Sequence, residues 1–366
     1  MGKAESERLN RKLGSHLNTI HETLQLLDGA ADSSLEKVKW EDVVKFGDEV
    51  SKQATIVGML CTGATPEVKA LEENMVTYFN VLQGFLLLSH GSTVGAGPTL
   101  SSIVHATVKQ VVDASFKLWM DVVSSYGPNK KNGANSVNKL VGAVWEACSA
   151  LKKTPATNIT AIGRVMTQAA VSIKDVLREM KELKLEGYSS DEHNSSNPEG
   201  NKSDDAGNLS DDELGSDLSP EEMKIAQSTI NLVSQVLVIV KELIRSITSI
   251  IKQETSTTGS INNNTFVDVL ERLLKLCQGM SLQVDELGAS LYPPQELSTI
   301  MAASKVILTQ SEDIHTELQI LNCSSDAFLQ CLISLKTVIR QLHCDLECCS
   351  SPADLTPNLQ NLALSC

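Results

Sequence analysis

Few residues in this chain have the types and spacing to do chemistry. Gly91-Ser92-Thr93-Val94-Gly95-Ala96-Gly97 has the glycine content of a phosphate cradle. Such a loop needs a strand before it and a Lys-Ser/Thr pair after it, whose ammonium reaches the phosphates, and the chain supplies neither. It reads as an interhelical turn. His21-Glu22 opens a zincin-like pattern, but that pattern requires a second histidine at position 25, where Gln25 stands. Cys331, His343, Cys344, Cys348 and Cys349 form the densest group of metal-ligand types, and Cys344 and Cys348 share a helix face. A closed tetrahedral zinc site takes four ligands, usually from paired Cys-x-x-Cys elements, which are missing here. These side chains read as small apolar packing with some exposed thiols. No catalytic set, metal or cofactor is expected. Gly2 with Ser6 fits the N-myristoylation pattern, but one acyl chain holds a membrane only marginally and the first helix begins almost at once.

Modification chemistry is the better-supported kind. Ser189, Ser203 and Ser210 are followed by acidic residues, the context favoured by acidophilic kinases, and each phosphate would add roughly −1.5 to −2 charges. They lie in a segment from Glu186 to Glu222 that holds twelve Asp and Glu against one lysine, Lys202. That segment carries about −11 of the chain's formal −14, so the remainder is nearly neutral. With almost no large apolar residues it cannot offset the entropy of ordering, and it reads as a disordered tether.

The tether divides the elements that must position everything else. Residues 1–185 are expected to form an N-terminal bundle of five to six helices, 186–218 a disordered acidic linker, 219–349 a C-terminal bundle of about four helices, and 350–366 a flexible tail. Aromatics make up only 4% of the chain, which suits aliphatic helix-on-helix packing. The fold class is therefore all-α, two antiparallel helical bundles. Leu9, Leu13, Leu17, Ile20, Leu24 and Leu27 recur at helical spacing and stop at Gly29. Thr65-Pro66 is expected to cap and open a third helix, and Asn264 or Thr265 to cap a later one. Ser219-Pro220-Glu221-Glu222 orders a hydroxyl cap, a first-turn proline and a capping-box glutamate, the strongest local start signal in the chain. Trp40, Trp119 and Trp145 sit among apolar residues at helical spacing and read as core.

Several function classes are disfavoured. The first thirty residues alternate charged and apolar positions unlike a secretory signal, which with the odd count of nine cysteines points to an intracellular protein with reduced thiols. Ile230 to Ile251 is the most apolar stretch but contains Lys241, Glu242 and Arg245. Each would cost roughly 2.5–3.5 kcal/mol near a bilayer centre, so no stable membrane insertion is expected. No convergent set of Lys and Arg follows a groove, which argues against direct nucleic-acid binding.

Three segments resemble one family. Val144-Trp145-Glu146-Ala147-Cys148 is similar to its valine-tryptophan-x-alanine-cysteine segment, with Lys174, Asp175, Arg178, Glu179 and Met180 downstream. Val284-Asp285-Glu286-Leu287 through Leu291-Tyr292-Pro293-Pro294 is similar to its tyrosine-proline-proline segment, and an acidic linker lies between. The chain thus resembles the cyclin-D-binding proteins, also described as Grap- and cyclin-D-interacting or maternal Id-like helix-loop-helix proteins. The resemblance implies a non-catalytic regulator that binds D-type cyclins and helix-loop-helix or adaptor proteins, restrains the cell cycle, and resides in cytoplasm and nucleus. It marks Val144, Trp145, Ala147, Cys148, Tyr292, Pro293 and Pro294 as family-like positions. The competing reading is a vinculin- or talin-like structural bundle that associates with cytoskeleton or membrane.

Overall fold

The computed structural model describes residues 2–29, 31–32, 34–62, 66–126, 133–185, 217–254, 263–323 and 325–350. The linker from 186 to 216, with Ser189, Ser203 and Ser210, and the tail from 351 lie outside these, as does the side chain of Cys349.

The fold is all-α. In chain order the helices are α1 (Gly2–Gln25, extended by a 3-10 turn at Leu26–Asp28), α2 (Trp40–Leu60), α3 (Val68–Ser92), α4 (Pro98–Ser124) and α5 (Gly133–Leu151). They continue as α6 (Asn158–Lys181), α7 (Pro220–Glu254), α8 (Asn263–Ser290), α9 (Leu297–Ile320) and α10 (Asp326–Ser350). Two-residue strands β1 (Lys184–Leu185) and β2 (Asp217–Leu218) pair in parallel, Leu185 opposite Leu218, on either side of the linker.

Two helix starts differ from the sequence reading. Glu67, not Thr65, precedes α3; it is extended at φ −65° and ψ 140°, so Pro66 stands before the helix. In α8 helical geometry already holds at Asn263, which places Asn264 and Thr265 inside the first turn. The Ser219 start holds: Ser219 Oγ accepts from the Glu222 amide at 3.2 Å while the Glu222 carboxylate accepts from the Ser219 amide at 3.0 Å. The Ser219 amide, first among the causes, keeps the Glu222 carboxyl below its usual range.

Compact packing groups residues 1–162 with 260–271, and 163–259 with 272–366. This packing division is drawn differently from the sequence segments 1–185 and 219–349. Most of α6 belongs to the second unit because its apolar stripe, Ile173, Leu177 and Met180, is buried there, with Val176 against Gly288 of α8.

In the first unit α1 packs on α3 and α4, α2 on α3 and α5, and α5 on α4, which closes a ring of five helices. Its core gathers most of the scarce aromatics. Tyr78 meets Trp119 edge-on with centroids 5.7 Å apart, and Phe79 lies 6.0 Å from the same indole. Tyr78 donates to Ser115 Oγ at 2.8 Å, and Ser115 passes its own hydrogen to the Val111 carbonyl. In the second unit α10 lies against α7 and α9. Buried Asp345 of α10 accepts from Ser228 at 2.6 Å and from Lys224 at 3.0 Å, both on α7. The α8–α9 turn is tied to α7 by Gln295, whose amide donates to the Glu222 carbonyl at 3.0 Å.

Candidate interaction surface

The family-like segment on α5 lies along a close seam with α2. Val144, Ala147 and Cys148 are buried, in register with Val137, Val141 and Leu151. Two glycines of α2 allow the approach. A Cβ on Gly47 would fall 2.3 Å from Leu151 Cδ1, and one on Gly58 would fall 3.1 Å from Val141 Cγ2. Polar contacts fix the register: Trp40 Nε1 donates to the Leu151 carbonyl at 3.1 Å, and Lys152 pairs with Asp48 at 3.0 Å. Burial pushes the Cys148 thiol up to about 12, so it is a packing group.

Trp145 departs from the core reading. The residue is 46% exposed, with Nε1 donating to Thr55 Oγ1 at 3.1 Å. It falls one position past Val144, off the buried stripe, because helical rotation turns successive residues by about 100°. Trp40 and Trp119 are buried as expected. On the α2 side of the seam Ile56 and Met59 are also exposed.

In the second unit Tyr292 shares a cavity with Glu179 and Met180 of the downstream family-like run. A cavity of about 250 Å³ lies between α6 and the end of α8. Val176, Met180, Gly288 and Ala289 form its apolar part, and exposed Glu179, Asp285 and Tyr292 join its lining. Segments more than a hundred residues apart in sequence thus meet at one place. Gly288 is required there, since a Cβ would sit 2.8 Å from Val176 Cγ1. Tyr292 lies in the turn between α8 and α9, 52% exposed, and its amide reaches the Ala289 carbonyl at 3.5 Å. Pro293 and Pro294 follow in the same turn and separate the two helices.

A third surface escaped the sequence reading. Between α8 and α9 a groove of about 640 Å³ is bounded by Arg272, bidentate on Glu317 at 2.7 and 2.9 Å, and by Gly279 against Gln310. Leu282 is 65% exposed in it. The signal was present: Leu282 is an apolar residue off the Met280–Val284–Leu287 stripe.

The remaining chemical candidates are committed elsewhere. The Gly97 amide donates to Asn158 Oδ1 at 2.8 Å, and the Thr99 amide to Glu271 at 3.0 Å, so the donors that a phosphate would need serve the fold. His343 shares a 2.8 Å hydrogen bond with Ser304, and burial lowers its pKa. Cys344 and Cys348 are exposed. Among the described residues no three His, Cys, Asp or Glu side chains gather around a metal position, and no helix is long and apolar enough to cross a membrane.

Helical units whose distinctive residues form seams and surface cavities define a class of helical protein-interaction modules. Comparison with known proteins gives the family. The model described as Grap2 and cyclin-D-interacting, N-terminal, matches residues 42–186, and its C-terminal counterpart matches residues 202–316. A cyclin-D1-binding protein 1 homolog of Xenopus laevis is 25% identical over 204 residues, 56% of each chain, so the match spans about half the length of that relative. The chain belongs to the Grap2 and cyclin-D-interacting family, as its tryptophan and tyrosine-proline-proline segments indicated.

Proposed function

We propose that this protein is a non-catalytic binding protein for D-type cyclins, and that it restrains cell-cycle progression by sequestering them or helix-loop-helix and adaptor proteins. The observation that carries the proposal is that family models for both halves match in order across the linker, and that a relative carries a cyclin-D1-binding name. The exposed Trp145, Leu282 and Tyr292 supply apolar anchors of the kind that helix-in-groove recognition uses. Residence in both cytoplasm and nucleus, and phosphorylation at Ser189, Ser203 and Ser210, belong to the same reading. They rest on the resemblance and on the acidic context of those serines.

The test is surface plasmon resonance of the intact chain against purified D-type cyclins, with actin filaments and anionic vesicles as comparators in sedimentation. Saturable cyclin binding is expected. Co-sedimentation with filaments or vesicles and no cyclin binding would replace this reading with a structural bundle.

A further inference from the structure

We propose that the cavity between α6 and the end of α8 is an anchor site for an arginine side chain presented by a partner protein. This deepens the binding-protein reading, on which it rests, by naming one contact.

The volume sets the scale. About 250 Å³ is below the roughly 300–1,000 Å³ of small-molecule sites and suits one long side chain. The lining sets the chemistry. Val176, Met180 and Ala289 offer apolar surface for an aliphatic stem, and Tyr292 offers an aromatic ring. Glu179 and Asp285 offer two carboxylates from different helices, and no cation lines the cavity. Neither carboxylate has a side-chain hydrogen bond or ion pair among the described residues. Partial desolvation of the otherwise exposed Asp285 raises its carboxyl above the usual range. Two carboxylates beside a ring match a guanidinium, which bonds in a planar fork and stacks on aromatic faces, better than a point-like ammonium.

The two longest undescribed segments of the chain are poor occupants. Residues 186–216 hold nine acidic residues against Lys202, and residues 351–366 hold no lysine or arginine. Like charge keeps the linker out, and the tail lacks the group the cavity would bind.

The test has two probes on the intact chain. The first is the peptide acetyl-Ala-Arg-Ala-amide, titrated against methyl-labelled protein beside the same peptide with citrulline, a neutral isostere, in place of arginine. Saturable shifts at the Met180 and Ala289 methyls are expected from the arginine peptide only, and they should vanish in Glu179→Gln/Asp285→Asn with an unchanged melting curve. No shift, or equal shifts from both peptides, overturns the site. The second probe is a purified D-type cyclin. The double variant and Ala289→Phe, which fills the cavity and spares the carboxylates, should each bind about 10- to 100-fold more weakly. Cyclin binding that neither variant changes overturns the anchor role. Arginine-dependent shifts without any cyclin binding would uphold the site and reject the cyclin reading.

Discussion

Glu72 on α3 offers the sharpest test of how the first unit is held. Its side chain is 7% exposed, and its carboxylate pairs with Lys12 at 2.8 Å and with Arg8, both reaching over from α1 with their own side chains 43% and 56% exposed. Oε1 is buried without a partner among the described residues. Cost therefore depends on which partner is removed. Glu72→Gln frees two cations that water can solvate and should cost about 1 kcal/mol. Arg8→Met/Lys12→Met keeps both stems packed but strands a buried carboxylate and should cost about 3 kcal/mol at neutral pH. Adding Glu72→Gln to that pair should recover most of the loss.

The pH dependence should change sign. In the natural chain the Lys12 ammonium, then opposing burial, then Arg8 leave the Glu72 carboxyl below its usual range. Its contribution is therefore complete above the unfolded value of about 4.3 and is lost as pH falls through the folded value. In the double methionine variant burial acts alone and raises the folded value, so stability is greatest below about 4.3 and is lost as pH rises. All three tryptophans lie within residues 1–162, so intrinsic fluorescence in urea reports the first unit alone. Equal costs for Glu72→Gln and the methionine pair, or an unchanged sign of the pH slope, would refute the argument.

Three further outcomes follow from the geometry. Gly47→Val places bulk where even a Cβ meets Leu151 at 2.3 Å, and overpacking of the α2–α5 seam should cost about 1–3 kcal/mol in the same fluorescence assay. Ser219→Ala removes one arm of the capping box and should cost about 1 kcal/mol, read as faster hydrogen exchange in the first turn of α7. Among the described cysteines, Cys344 and Cys348 should react with a maleimide in the native protein. Cys148 and Cys277, whose thiols burial pushes to about 12, should react only on unfolding, which peptide mapping would show.

The helices were legible because each carries its own evidence. A leucine stripe needs only the helical period, and Ser219-Pro220-Glu221-Glu222 needs only neighbours within one turn. Starts near Thr65 and Asn264 were misplaced by two or three residues, since a cap depends on the backbone angles of a single residue, which composition does not set. The family segments were visible as words but not as a place. Trp145 looked like core until its rotation past Val144 put it at the surface, and Leu282 was passed over because no partner face was in view.

The sequence by itself determined the all-α class, the position of nearly every helix, the acidic break and the family, since these rest on local periodicity, caps and short motifs. Only the tertiary structure decided that most of α6 packs in the second unit, that Gly47 and Gly58 exist for the approach of α5, and that Glu179, Asp285 and Tyr292 share one cavity. Those facts depend on which apolar stripe meets which. Stripes of leucine, isoleucine and valine are chemically alike, so partner choice is settled by shape and by close approach across distances the sequence does not encode.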